Sequence, residues 1–119
     1  MSTQSFKELL VWQQASDFSV DIYKTFAKNR DFSFKDQIQR AALSISNNVA
    51  EGYARRSDKA LRNFLLIAKG SAAEVESMLL IALKLEYITP DMQIELDRRI
   101  QEIGRLLSGF INKLWNSYL

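Results

Sequence analysis

Apolar residues recur every three or four positions along almost all of this chain, which is the spacing of one face of an α-helix. Only four glycines and one proline interrupt its 119 residues. A sheet protein needs more turns than so few of these residues usually provide, so the pattern favours long helices. The sequence therefore predicts an all-α fold in a single domain.

Three polar breaks divide this pattern into four segments. Ser33, Ser57 or Asp58, and Thr89 followed by Pro90 are suitable residues to begin the second, third and fourth helices. We expect helices over residues 6–28, 34–54, 59–85 and 90–115. Short connections make consecutive helices antiparallel neighbours, so the sequence predicts an up-down-up-down antiparallel four-helix bundle.

The second predicted helix carries a polar stripe that contains no lysine. Exposed helix faces are usually rich in lysine and glutamate, whereas short polar groups suit a face that hydrogen-bonds to another polypeptide or a ligand. A solvated face that happens to lack lysine is the alternative. We expect Gln37, Arg40, Ser44, Asn48 and Glu51 of this stripe, with Gly70 and Glu74 on the third predicted helix, to lie at or near subunit contacts. The polar stripe consists of Gln37, Arg40, Ser44, Asn48, Glu51 and Arg55.

A run of small residues surrounds Gly70 in the middle of the third predicted helix. Glycine in a helix interior is less favourable than alanine by about 1 kcal/mol. Close approach of a neighbouring helix backbone would offset this cost. The sequence therefore predicts that Gly70 is a contact point and that Gly70→Leu is destabilising through overpacking.

Charge is distributed unevenly, because basic residues exceed acidic ones by six over residues 24–70 and acidic residues exceed basic ones by four over residues 71–102. The predicted topology brings the chain start, the second turn and the chain end to one pole. Basic side chains near aromatic ones are typical of a nucleic-acid surface. The alternative is that the tryptophans cover the core and the turn is merely solvated. The residues at this pole are Arg55, Arg56, Lys59 and Arg62, with Trp12, Trp115 and Tyr118 nearby.

The sequence gives little support for an enzyme, because the chain has no cysteine and no histidine. This excludes thiolate nucleophiles, Ser-His-Asp triads and cysteine metal sites. Glu51 and Glu74 could face each other as in di-iron bundles, but those sites also use histidine. Pairing of Glu51 with Arg40, Arg55 or Arg62 is the favoured interpretation. We predict no catalytic residue, metal or cofactor.

The chain also lacks a signal peptide and any apolar run long enough for a membrane span. The sequence on this basis predicts a cytoplasmic protein without a membrane partner.

Three motifs have a distinctive order: Arg40-Ala41-Ala42 with Ser44-Ile45, then Asn48-Val49-Ala50-Glu51-Gly52, then Ala68-Lys69-Gly70-Ser71 with Glu74. They resemble motifs of one bacterial family, the four-helix bundle proteins of 23S ribosomal RNA intervening sequences, also called the S23 ribosomal protein family. The resemblance implies a homo-oligomer similar to ring-like pentamers, and kinship with accessory proteins of diversity-generating retroelements, which engage a reverse transcriptase and nucleic acid. It implies no enzymatic activity. The motif positions are Gln37, Arg40, Ser44, Asn48, Glu51, Arg62, Gly70, Ser71 and Glu74.

The prediction for function is a non-enzymatic, oligomeric protein that associates with RNA, or with another single-stranded nucleic acid, through its basic surface. No base-reading motif is present, so binding would be mainly to phosphate and sensitive to salt. The alternative is a protein-interaction scaffold or accessory subunit that does not bind nucleic acid directly.

Overall fold

Four helices follow one another in the computed structural model, which describes residues 5–116 and their side chains through Leu114. Each helix packs against the next, and α1 also contacts α4. The result is an elongated bundle of 47 × 21 × 20 Å, which confirms the predicted four-helix bundle. The helices are α1 (Leu10–Phe26), α2 (Phe32–Ala54), α3 (Asp58–Lys84) and α4 (Pro90–Asn116), and a short 3-10 helix (Phe6–Glu8) precedes them.

Side-chain caps explain where the later helices begin. The Ser57 hydroxyl accepts a hydrogen bond from the Ala60 backbone at 3.2 Å, and the Thr89 hydroxyl accepts one from the Met92 backbone at 3.2 Å. Both caps are as predicted. The predicted cap of α2 is wrong: Asp31, not Ser33, begins this helix. The Asp31 carboxylate accepts a hydrogen bond from the Phe34 backbone at 3.1 Å, which places Ser33 inside the first turn.

The prediction of one continuous helix from Phe6 is also wrong. Leu9 has an extended backbone, with φ −76° and ψ 126°, and separates the 3-10 helix from α1. The Gln13 side chain donates to the Lys7 carbonyl at 2.9 Å, and the Phe6 and Trp12 rings meet edge-on at 5.0 Å. These contacts hold the first described residues against the bundle.

The core consists of the apolar stripe of each helix, as the periodicity predicts. Ser19 and Ser46 are buried with it, and each hydroxyl donates to the backbone carbonyl three residues earlier, at 2.9 and 3.2 Å. No buried side-chain polar atom among the described residues lacks a hydrogen-bond partner. The largest fully buried side chains are Phe18, Phe26, Ile22, Ile38, Ile45, Leu65, Leu79, Ile103 and Leu107.

The close-packed glycine of the bundle is Gly52, where α2 meets α3. A Cβ atom built on Gly52 would lie 2.7 Å from the Phe64 Cβ atom, closer than side chains approach one another. Gly70, in contrast, has nothing within 4 Å of a built Cβ atom. The prediction that Gly70 lies against a neighbouring helix of the bundle is therefore wrong, because the residue sits on the side of α3 that points away from the core.

The four seams of the bundle are unequal. α2 and α3 share the most extensive contact, and α1 and α4 share the least among neighbouring α-helices. Arg99 crosses this weaker seam, where its Nη1 atom lies 2.7 Å from Asp21 Oδ2 and its guanidinium lies over the Phe18 ring at 5.3 Å. Within residues 5–116, no helix has the length and apolar character that crossing a bilayer requires.

Candidate functional site

The end of α2, the turn into α3 and the end of α4 meet at one pole of the bundle. Residues from all three line a common cleft of about 230 Å³, among them Tyr53, Arg56, Asp58 and Phe110. Four basic residues lie on this turn and the first two turns of α3. We call this surface the basic pole; its members are Arg55, Arg56, Lys59 and Arg62.

Arg55 is partly engaged within the chain. Its Nη2 atom lies 3.5 Å from Glu51 Oε1, one helical turn earlier, and its guanidinium lies over the Phe64 ring at 5.2 Å. The expected ion pair of Glu51 with a nearby arginine is thus present. Both charged side chains remain more than half exposed, so solvent screens the pair strongly.

Arg56 and Lys59 are the most outward members of the basic pole. Arg56 follows the Arg55 C-cap of α2 and has a φ of 59°, the left-handed conformation that glycine adopts most easily. Both side chains are exposed, and no ion pair joins either of them to another residue within 5–114. Cations at the C-terminus of α2 also interact favourably with the helix dipole. Arg62 is half-buried, and the nearby Asp58 carboxylate reduces the local positive charge.

Aromatic residues contribute less to this pole than the sequence suggests. Trp12 is half-buried and packs against the core and the Phe6 ring. This corresponds to the alternative in which the tryptophan covers the core. The Trp115 side chain and Tyr118 fall outside the described residues. The basic residues of this pole, and not the aromatic ones, therefore support a site for a charged ligand.

The polar stripe lies along the seam between α2 and α3 and bonds mainly within the chain. The Ser44 and Ser71 hydroxyls share a hydrogen bond of 2.8 Å, and the Asn48 amide donates to the Ser44 carbonyl at 2.7 Å. The Gln37 amide donates to Glu74 Oε2 at 3.2 Å. These short polar groups form a contact between two helices, and both helices, α2 and α3, belong to the same chain. A subunit contact at the stripe stays a prediction.

The charged residues Arg40 and Glu51 of the stripe, and Glu74 opposite it, do not form a pair of facing carboxylates. Arg40 Nε lies 2.9 Å from the exposed Asp36 carboxylate. Glu74 lies level with Gln37, which is about 20 Å along α2 from Glu51, so the two glutamates are not brought together. Within the described part of the chain, no three potential metal ligands among His, Cys, Asp and Glu are grouped as a metal site would require.

A sequence-family comparison adds to this geometry. The family model of the 23S rRNA-intervening sequence protein matches residues 7–109, which include the whole basic pole and polar stripe. This chain belongs to that family. No curated protein matches it. A crystal structure of a protein with unknown function from the S23 ribosomal protein family of Bacteroides thetaiotaomicron is similar, with a TM-score of 0.80 and 30% identity, covering 86% of this chain and 98% of that one.

One surface of the molecule is absent from the sequence-based predictions. The side of α3 that points away from the core is largely apolar, with four aliphatic side chains between 44% and 53% exposed. A helix with apolar residues on both sides is the signal that could have revealed it. We call this surface the α3 outward face; it consists of Leu66, Ile67, Gly70, Ala73, Ser77, Leu80 and Ile81, and the exposed Glu74 lies among them.

A second contact missed from sequence joins two turns at the opposite pole. The Tyr87 hydroxyl donates a 2.6 Å hydrogen bond to Asp31 Oδ2. This bond, together with the Phe34 backbone N–H, lowers the pKa of the Asp31 carboxyl, and the same bond raises the pKa of Tyr87. Asp31 therefore caps α2 and also fixes the turn between α3 and α4.

Proposed function

We propose that this protein is a non-enzymatic, self-associating bundle that binds RNA, or another single-stranded nucleic acid, through the basic pole. The observation that carries the proposal is the concentration of four basic residues within eight positions at one end of the bundle. Arginine and lysine bind phosphate oxygens, and such contacts dominate binding that is independent of sequence. The family is named for an intervening sequence of ribosomal RNA, which favours RNA over DNA.

Arg56 and Lys59 are the residues on which this proposal depends most. They are exposed and separate from the described ion pairs, so a phosphate would not need to displace an internal partner. Arg55 would contribute less, because its guanidinium is shared between Glu51 and the Phe64 ring. The half-buried Arg62 would form the edge of the surface.

The second candidate is a protein-interaction scaffold or accessory subunit that does not bind nucleic acid directly. The basic pole would then meet an acidic protein. The α3 outward face supports this candidate, because an exposed aliphatic surface is typical of protein contacts and gives nothing to a phosphate backbone.

Fluorescence anisotropy with a labelled RNA hairpin and a single-stranded DNA, at about 50 and 200 mM salt, tests the proposal. The variant is Arg56→Glu with Lys59→Glu. We expect at least about tenfold weaker binding and a log–log salt slope shallower by about 1.4 to 1.8, because two phosphate contacts are lost.

The matched control is Lys28→Glu with Arg30→Glu, which makes the same change in net charge on the exposed turn at the opposite pole. We expect this control to bind almost as the parent does. Equal losses in the two variants would remove the basic pole as the site. No binding by the parent at low salt would favour the protein scaffold.

A further inference from the structure

The cleft at the basic pole differs in chemistry from the charged surface around it. Its buried lining is apolar and includes Leu61 and Leu114, and the half-buried rings of Tyr53 and Phe110 also line it. Burying a phosphate against such walls is unfavourable, because a charge loses its hydration there. At about 230 Å³ the cleft is smaller than the usual pockets for drug-sized ligands, which measure about 300–1,000 Å³. Its size and walls therefore suit a single flat, uncharged ring system.

An acidic residue lines the exposed side of the same cleft. The Asp58 carboxylate is exposed, and no ion pair within residues 5–114 includes it. A carboxylate repels phosphate, but it accepts hydrogen bonds from neutral N–H groups. Arg56 lines the cleft as well, and a guanidinium binds phosphate oxygens. The exposed lining can thus bind the N–H edge of a ring and a phosphate attached to it.

We propose that this cleft binds one guanine base of a single-stranded RNA. The base would lie against the Tyr53 and Phe110 side chains, with its Watson–Crick edge on Asp58 and a neighbouring phosphate on Arg56. Unpaired bases are commonly recognised in this way, by an aromatic side chain against the ring and hydrogen bonds to its edge. The inference rests on the proposed function, because the basic pole would hold the phosphates on either side of the base.

The donors and acceptors of the four bases decide which of them suits a carboxylate. Guanine presents two neighbouring donors on its Watson–Crick edge, N1–H and the N2 amino group, which match the two oxygens of one carboxylate. Adenine and cytosine present a ring nitrogen acceptor beside the amino group, and uracil presents one donor between two carbonyl acceptors. These acceptors would face the negative Asp58 oxygens. Contact with an aromatic ring adds affinity for every base, so the preference for guanine depends on Asp58.

Fluorescence anisotropy with labelled uridine strands of about 12 nucleotides tests the inference. Each strand carries G, A, C or U at its centre, so that charge and length are equal. For the parent we expect the strand with guanine to bind about tenfold more tightly than the others, which is within the range of a bidentate base contact. Equal binding of all four strands would overturn this inference and leave the proposed function standing. No binding of any strand would overturn both.

Asp58→Asn separates a base contact from a general effect of charge. We expect the preference for guanine to fall below about twofold, because the two matched acceptors are lost. If Asp58 only lowered the positive potential, all four strands would bind more tightly by the same factor, and this result would overturn the base contact. Asp91→Asn is the matched control, because Asp91 lies in the first turn of α4 as Asp58 does in that of α3. The control should keep the preference.

Arg56→Gly separates binding from folding. Glycine adopts the φ of 59° more easily, so the variant should have a higher melting temperature than the parent. It should nevertheless bind all four strands more weakly, because a phosphate contact is lost. Glu86 has a φ of 62° after α3, and Glu86→Gly is the control that should raise the melting temperature without weakening binding. Unchanged binding by Arg56→Gly would overturn the phosphate contact. Circular dichroism establishes that each variant is folded.

Discussion

α3 and α4 are neighbouring helices of 27 residues each, and their buried sides are much alike. Each lines the core with aliphatic residues, such as Leu65 and Leu79 on α3 and Ile103 and Leu107 on α4. Their outward sides differ. α4 has two ion pairs between residues three positions apart, Glu95 with Arg98 and Glu102 with Arg105, each at 2.7 Å. α3 exposes leucine and isoleucine around a glycine.

The difference separates two requirements on a bundle helix. The buried side has to fill the core, and both helices satisfy this requirement in the same way. The outward side has to suit whatever it meets, and α4 suits water because short-range ion pairs on a helix surface keep charged groups solvated. The outward side of α3 does not suit water in the same way. Surface composition therefore carries information about contacts that the fold itself does not use.

The largest expected effect concerns the buried sides, which the comparison treats as equivalent. Leu65→Ala on α3 and Leu107→Ala on α4 both remove fully buried side chains. Each should lower the free energy of unfolding by about 2–5 kcal/mol in urea denaturation. Leu66→Ala, beside Leu65 but exposed, is the control and should have a much smaller effect below the concentration at which copies associate. A negligible loss of unfolding free energy for either Leu65→Ala or Leu107→Ala would show that the buried sides of α3 and α4 are not equivalent.

Substitutions at two glycines test the difference between the two sides of α3. Gly52→Ala would place a methyl group against Phe64, on the side that packs on α2, and should lower the free energy of unfolding by about 1–3 kcal/mol. Gly70→Ala meets open space and should raise it by up to about 1 kcal/mol, through higher helix propensity. Thermal denaturation of dilute samples measures both changes. Destabilisation by Gly70→Ala would show that this residue is constrained within a single chain.

A smaller effect is expected at the turn between α3 and α4, where a contact depends on pH. The pKa of Asp31 is lowered in the folded state, so its contribution to stability is present above about pH 4 and is lost as pH falls through the folded-state pKa. The pKa of Tyr87 is raised, so its contribution is present below about pH 10 and is lost as pH rises further. Stability from this contact is therefore constant between these limits.

Tyr87→Phe should flatten the acid limb of a plot of stability against pH, because Asp31 loses the hydrogen bond that lowers its pKa most. Tyr23→Phe, an exposed tyrosine on α1, is the matched control and should leave that limb unchanged. Urea denaturation at several pH values between about 3 and 7 measures this acid limb. Identical acid limbs in the parent and Tyr87→Phe would contradict the assignment.

Local signals in the sequence were sufficient where a residue acts on its own helix. Ser57 and Thr89 cap the helices that they precede, and the repeat of aliphatic residues identifies the core of α4. The cap of α2 was misplaced because two candidates stand close together. Asp31 is favoured by a contact with Tyr87, 56 residues away, which no local pattern contains.

The two glycines show why the site was harder to predict than the fold. α3 has apolar residues on both sides, so periodicity alone does not say which side faces the core, and Gly70 was assigned to the wrong one. The charges of the basic pole were evident from sequence. The contact of Arg55 with Phe64 was not, because it depends on how α2 and α3 pack.

The lightly packed seam between α1 and α4 has a consequence for motion. Local opening of a folded domain starts where the fewest buried contacts have to be broken. α2 and α3 share the most extensive seam, whereas α1 and α4 are each joined extensively to one neighbour and share the weak seam that the Asp21–Arg99 ion pair crosses. A partial opening is therefore expected to begin by parting α1 from α4, which would expose Phe18 while α2 and α3 stay together.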